Sequence, residues 1–267
     1  SVRRDARQRE ERDRILSLLH QNGIRTVEAQ GTVTKQYYPQ PELRMMSDID
    51  FIVDKENIPS IAEMMAAQGY QIKEVGDEIN AVNHKGMEIE FHYDFFTVQP
   101  YTPKTRYYDA MHSPFEHASP KEDNPLEYVL DDTYFYLYSL LHTIKHFEHS
   151  GCGIRRIADI YVLNKALVDK IDTEFVSRTI DSYDFRTSAD ELFSLEKWWF
   201  EDVCPTVDIT QTVNDIVSGG NHGTVELVAK NQKVLDRKLF GIKYPRMHKL
   251  KMLFFPPKEA LYEAYPI

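Results

Sequence analysis

Two periods of apolar and polar residues run along this chain, and the change from one to the other divides it. Residues 2–20 are dense in charge and helix-forming, with Ile15, Leu16, Leu18 and Leu19 giving an apolar side near the end. That spacing predicts a helix, stopped by Gly23. Residues 24–29 read as a short strand, Gly31-Thr32 as a turn, and residues 33–38 as a short helix ahead of Pro39 and Pro41. A strand over residues 48–53 follows. Residues 57–68 predict a helix that Asn57 caps, with Pro59 in its first turn and Gly69 at its close. Strands are predicted over 70–75, 79–84 and 87–93, with turns at Gly76-Asp77 and Lys85-Gly86. In the last of them Met87, Ile89, Phe91 and Tyr93 face one way, and Glu88, Glu90 and His92 the other.

Beyond residue 97 the pattern changes. Five prolines between 97 and 125 interrupt any period, which predicts a linker or long loop. Helical spacing then covers 127–149, 153–168, 173–182, 187–200 and 223–240. The expectation is an α+β chain: a mixed β-sheet with flanking helices over residues 1–118, then a mostly helical domain over 119–267. No internal repeat is visible.

Composition narrows the class. Hydrophobic residues at 42% of 267 are enough for real cores, and a formal charge of -10 argues against general nucleic-acid binding. It does not argue against one nucleotide held through a metal. Cys152 and Cys204 lie far apart and without metal-ligand spacing, so no disulfide framework is expected. No apolar run approaches the roughly 18–20 residues of a membrane span, and the first residues are charged rather than apolar. A cytoplasmic protein without a membrane partner is the expectation; its oligomeric state is not legible.

The stretch RMMSDIDFIVD, residues 44–54, carries the clearest chemistry. Asp48 and Asp50 share one face of the predicted strand, roughly 7 Å apart given a rise of about 3.3 Å per residue. Either that face is solvent, or the two carboxylates hold a cation. Mg²⁺ prefers one or two carboxylates plus substrate phosphates. Two-metal phosphoryl chemistry asks for a third carboxylate, which the strand 87–93 offers in Glu90, with Glu88 next. Gly31-Thr32, after a strand, has the backbone N–H groups and hydroxyl to cradle phosphate oxygens, and the planar fork of Arg44 suits a phosphate. The ordinary alternatives are a simple turn and a surface arginine. His142, Lys145 and His146 fall on one helical stripe. Thr143 stands where a zinc-binding H-E-x-x-H has glutamate, so the stripe is read as a contact to an anionic substrate or as an internal pairing surface.

Taken together, Gly31, Tyr38-Pro39, Arg44, Ser47-Asp48-Ile-Asp50-Phe-Ile-Val53, Gly69-Tyr70 and Glu88-Ile-Glu90-Phe-His92-Tyr93 resemble the uncharacterised nucleotidyltransferase family of bacteria, within the polymerase-beta-like superfamily. The likeness continues in His142-Thr-Ile-Lys145-His146, Arg155-Arg-Ile-Ala-Asp159 and Phe255-Pro-Pro through Tyr265-Pro266. The resemblance implies a nucleotidyltransferase-like N-terminal sheet. It implies Asp48, Asp50 and Glu90 as catalytic residues and ligands of Mg²⁺, with Mn²⁺ able to replace it. It implies transfer of a nucleoside monophosphate from an NTP to a hydroxyl of a small-molecule or protein acceptor. Gly31, Thr32, Lys35 and Arg44 are the nucleotide-binding candidates, and Glu88, His92, His142, Lys145 and His146 the candidate substrate contacts. Gln30 departs from the family pattern, which has lysine there; Lys35 is the candidate substitute. That departure keeps a second reading in view, a non-catalytic module of the same fold. A D-x-D glycosyltransferase is the third reading, but only 47 residues precede Asp48, too few for its usual nucleotide-binding subdomain.

Overall fold

The computed structural model describes residues 2–75, 78–96, 106–149 and 152–219. The described residues of 1–97, 111–138 and 162–173 form one compact unit, and those of 98–110, 139–161 and 174–267 a second. The expected helix over 223–240 and the Phe255–Pro266 motif lie outside the described residues.

The first unit is built on a mixed sheet. Its strands are β1 (Thr26–Glu28), β2 (Asp48–Ile52), β3 (Gln71–Val75), β4 (Glu78–Val82), β5 (Glu88–His92), β6 (Ala118–Pro120) and β7 (Glu127–Leu130). They lie in the order β3-β4-β5-β2-β1-β7-β6. β2 pairs in parallel with β5, and β1 in parallel with β7. The remaining neighbours are antiparallel. Helices α1 (Val2–Gln21) and α3 (Ile58–Ala67) supply Ile15, Leu16, Leu19, Ile58, Ile61 and Met65 to one core. The strands answer with Ile49, Phe51, Ile79, Ala81, Ile89 and Phe91. Phe51 and Phe91 stack across the parallel pair with centroids 5.8 Å apart. Burying side chains of this size stabilises by about 1.5–3 kcal/mol each, which fixes the register of β2 against β5.

Ion pairs hold α1 in place. Arg12 forks onto Glu28, Gln8 donates to the Met46 carbonyl at 3.1 Å, and the buried Asp5 meets Lys35 and Arg9. Burial raises the Asp5 carboxyl, but hydrogen bonds from Lys35 and then Arg9 outweigh it and hold the group below its ordinary range. The turn at Gly69 has φ +83°, a conformation that only glycine adopts without strain. Asn57 stands at the N-cap of α3 but makes no side-chain cap hydrogen bond.

Several stretches differ from their sequence patterns. The short helix α2 (Gly31–Thr34) starts at Gly31 rather than 33 and continues as a 3₁₀ turn to Tyr37. The proline-rich segment holds, in its described part, helix α4 (Arg106–Ala110), a 3₁₀ turn and β6. The expected helix over 127–149 divides into β7 and α5 (Asp132–His149). The β-prone residues Tyr128 and Val129 pair with β1 and β6, and Asp131 then starts the helix by accepting from the Tyr134 amide at 2.9 Å.

The second unit draws on α4, the later part of α5, the first part of α6 (Ile154–Leu167), and α7 (Thr173–Ser182), α8 (Arg186–Glu201) and α9 (Thr210–Gly219). Ile144, Ile157, Ile160, Ile180, Phe185, Leu192 and Leu195 are buried in it. Tyr107 packs on Phe185 at 4.9 Å, and Arg106 and Tyr107 both donate to Glu148. α9 has no counterpart in the sequence reading, because its β-branched residues weaken the helical signal. Burial of Ile209, Thr212 and Ile216 settles it.

Phe91 has no exposed surface. Phe91→Ala is expected to cost about 3–5 kcal/mol in urea denaturation. Val129→Ala, at a site 46% exposed, is expected to stay within about 0.5 kcal/mol.

Candidate active site

Strand alternation builds the site. In the parallel register Asp48 lies beside Glu88, Asp50 beside Glu90, and Ile52 beside His92. Ile49, Phe51, Ile89 and Phe91 turn into the core, so the carboxylates and His92 occupy the other face. β4 extends that face. Asn80, opposite Glu90, donates to Glu88 at 3.1 Å and to Glu90 at 3.2 Å.

His92 lies at the centre. Its Nδ1 is 2.9 Å from Glu78 Oε1, and its Nε2 is 3.3 Å from Asp50 Oδ1 and 3.4 Å from Glu90 Oε2. Burial lowers the imidazole, but hydrogen bonds to Asp50, Glu78 and Glu90 prevail and hold it well above its ordinary value. Asp50 is pushed up to about 6, first by burial and then by the repulsion of Asp48 and Glu90, with His92 opposing. The ligand atoms of Asp50, Glu90 and His92 all lie within 4.8 Å of one another, a group able to hold a metal ion. Asp48 is on the same face, beside Glu88 and outside that close group.

Next to it stands the Gly31 corner. The Ala29 amide reaches the Asp50 carbonyl at 3.4 Å, so the chain leaving β1 runs back along β2. Gln30 has φ +45°, and its carbonyl accepts from Val33 and Thr34. Arg44 Nη1 lies 3.4 Å from the Gly31 carbonyl, and a Cβ on Gly31 would come within 3.0 Å of that guanidinium. Thr32 is buried, and its hydroxyl has no hydrogen-bond partner. Buried polar atoms are ordinarily matched by protein, water or ligand, and this hydroxyl has no protein partner.

The structure thus brings Asp50, Glu90 and His92 into one cluster, with Asp48 and Glu88 beside them, and brings Gly31 to Arg44. Lys35 goes elsewhere: its ammonium is buried on Asp5, so it does not replace the lysine missing at position 30. His142, Lys145 and His146 belong to the second unit. There His142 and His146 approach to 3.2 Å and Arg156 lies 3.0 Å from His142 Nδ1. Two contributors are absent from the sequence reading. Glu78 is silent because a glutamate at a strand's start looks solvated. Tyr138, from α5, hydrogen-bonds Gln30 and lies within electrostatic reach of His92, Asp50 and Glu78; burial pushes its phenol up to about 12.

The sequence pattern of the uncharacterised nucleotidyltransferase family matches residues 1–201, and the chain belongs to that family. The solution structure of the antibiotic-resistance factor ANT(2'')-Ia is similar over 69% of this chain and 95% of that one, with 12% identity and a TM-score of 0.46. No curated protein matches the chain. Among the described residues, no helix is long and apolar enough to cross a membrane.

Because Glu78 contributes a negative charge at Nδ1, Glu78→Gln is expected to lower the His92 titration midpoint. NMR of the imidazole resonances against pH reads it directly; an unmoved midpoint would remove Glu78 from the cluster.

Proposed function

We propose that this protein transfers a nucleoside monophosphate from an NTP to a hydroxyl of an acceptor, releasing pyrophosphate, with a divalent cation held on the β2–β5 face. The observation that carries the proposal is the close cluster of Asp50, Glu90 and His92 beside Asp48, inside a chain of the nucleotidyltransferase family. The donor set fits a cation: ionised carboxylates only accept, and several face one another here. Asp50, Glu90 and His92 would hold the ion, the imidazole giving up its proton to solvent as it does so, with Asp48 adding a carboxylate. The carboxylate oxygens suit Mg²⁺ and Mn²⁺. Bound there, the cation supplies neutralisation of phosphate charge.

The remaining work falls to this chain's own side chains. Thr32 and Arg44 bind phosphate oxygens at the Gly31 corner, where the absence of a Cβ keeps the guanidinium close. Glu78 and Asn80 hold His92, Glu88 and Glu90 in place from β4. Glu90 takes the proton of the acceptor hydroxyl as its oxygen bonds to the α-phosphorus. The bond from that phosphorus to the pyrophosphate oxygen breaks in the same exchange. Positioning and fixed charge supply most of the rate in such a reaction.

Asp50→Asn is expected to abolish NTP-dependent pyrophosphate release, by at least about 100-fold, and to remove the rise in melting temperature that Mn²⁺ or Mg²⁺ gives the wild type. In EDTA its melting temperature is expected to be no lower, since one of several like charges is gone. Metal-induced stabilisation equal to wild type in this variant would refute the assignment.

Thr32→Val is expected to weaken NTP binding while leaving the free protein as stable or about 1 kcal/mol more so, because an unmatched buried hydroxyl is lost. Calorimetry and thermal melting measure the two effects separately.

A further inference from the structure

Acidic residues outnumber basic ones in this chain, 42 to 32, yet four cations converge on one cleft without any carboxylate in its wall. The first two turns of α1 contribute Arg3, Arg4 and Arg7, and the β4–β5 turn contributes Lys85, with Ser47 and Met87 between them around a space of ≈ 500 Å³. The approach is set by two contacts one helical turn further on: Gln8 donates to the Met46 carbonyl, and Asn83 Nδ2 lies 3.4 Å from Glu11 Oε1. Counting back four residues from Gln8 and Glu11 gives Arg4 and Arg7, which therefore overhang the 46–47 loop and the 85–87 turn.

Other arginines of α1 have found acids. Arg9 meets Asp5, Arg12 meets Glu28 and Arg14 meets Glu11. The charged groups of Arg3, Arg4, Arg7 and Lys85 make no hydrogen bond or ion pair with another described residue. Like charges gathered around one concavity repel unless an anion joins them, and a low-dielectric wall concentrates that field.

We propose that this cleft binds a phosphate-bearing ligand carrying several negative charges. Ser47 and Met87 precede Asp48 and Glu88, which lie side by side in the sheet, so the cleft opens at the end of the acidic face. The site rests on its own cations; only the identity of its occupant rests on the nucleotidyl-transfer reading. The occupant is either the polyphosphate tail of the NTP or a phosphate on the acceptor. Arginine forks recognise both in the same way.

The test is calorimetric titration of inorganic tripolyphosphate, in EDTA and at low ionic strength, where surface charge is least screened. Wild type is expected to bind saturably, and Arg4→Glu/Arg7→Glu to bind at least tenfold more weakly. These side chains are exposed, so the fold should be unaffected, and melting curves check it. Lys85→Glu, acting from the facing turn, is expected to give a loss in the same direction. Lys170→Glu/Arg178→Glu changes net charge equally at a distance in sequence and is expected to leave affinity within about twofold of wild type. Absence of saturable binding by wild type, unchanged binding by the Arg4/Arg7 variant, or an equal loss in the Lys170/Arg178 control would overturn the proposal. A second titration with Mn²⁺ and each NTP identifies the source. Loss of NTP binding along with tripolyphosphate binding in the Arg4/Arg7 variant supports the site with the nucleotide tail as occupant. NTP binding retained while tripolyphosphate binding is lost supports it with an acceptor phosphate. Failure of wild type to bind any NTP would refute the nucleotidyl-transfer reading and leave the cleft standing on tripolyphosphate.

Discussion

Because successive side chains on a strand point to opposite faces, the register that seats Ile49 and Phe51 beside Ile89 and Phe91 in the core also gathers Asp48, Asp50, Glu88, Glu90 and His92 on the other face. The two outcomes cannot be separated. A slip of one residue in β2 would bring Asp48 and Asp50 into the core and expose Phe51. Burial of apolar surface by α1 and α3 thus holds the acidic face in place, although no residue of that face contributes to the core.

The acidic face carries its own tension. Two unit charges 4 Å apart interact by about 4 kcal/mol at an effective dielectric of about 20, so several carboxylates together are unfavourable without a positive partner. His92 serves as that partner: Asp50, Glu78 and Glu90 hold its imidazole well above its ordinary value, and it opposes the burial and like-charge repulsion that raise Asp50 to about 6. β4 extends the arrangement along the same face, Glu78 through His92 and Asn80 through Glu88 and Glu90.

Much of this was legible from period and residue type. The alternation in residues 87–93 and the D-I-D-F-I run each put carboxylates on one strand face, and the observed strands follow that division. Other residues escaped such reading for reasons of distance. Lys35 stands four residues after Gly31 and looks available to a phosphate, but Asp5, thirty positions earlier, claims it. Glu78 gains meaning only when the β4–β5 pairing carries it to His92. Residues 127–130 have helical neighbours, and become a strand because β1 and β6 offer open edges.

By itself the sequence determined which side chains share a face, since that depends only on the two-residue period of a strand and the 3.6-residue period of a helix. It also marked the candidate site residues, through carboxylates spaced along an apolar run. Only the tertiary structure decided which faces meet: that Asp50 and Glu90 share His92, that Arg44 lies against Gly31, and that Arg4 and Arg7 hang over Ser47. Those meetings depend on strand pairing and helix docking between residues far apart in the chain, and local periodicity carries no information about a partner that distant.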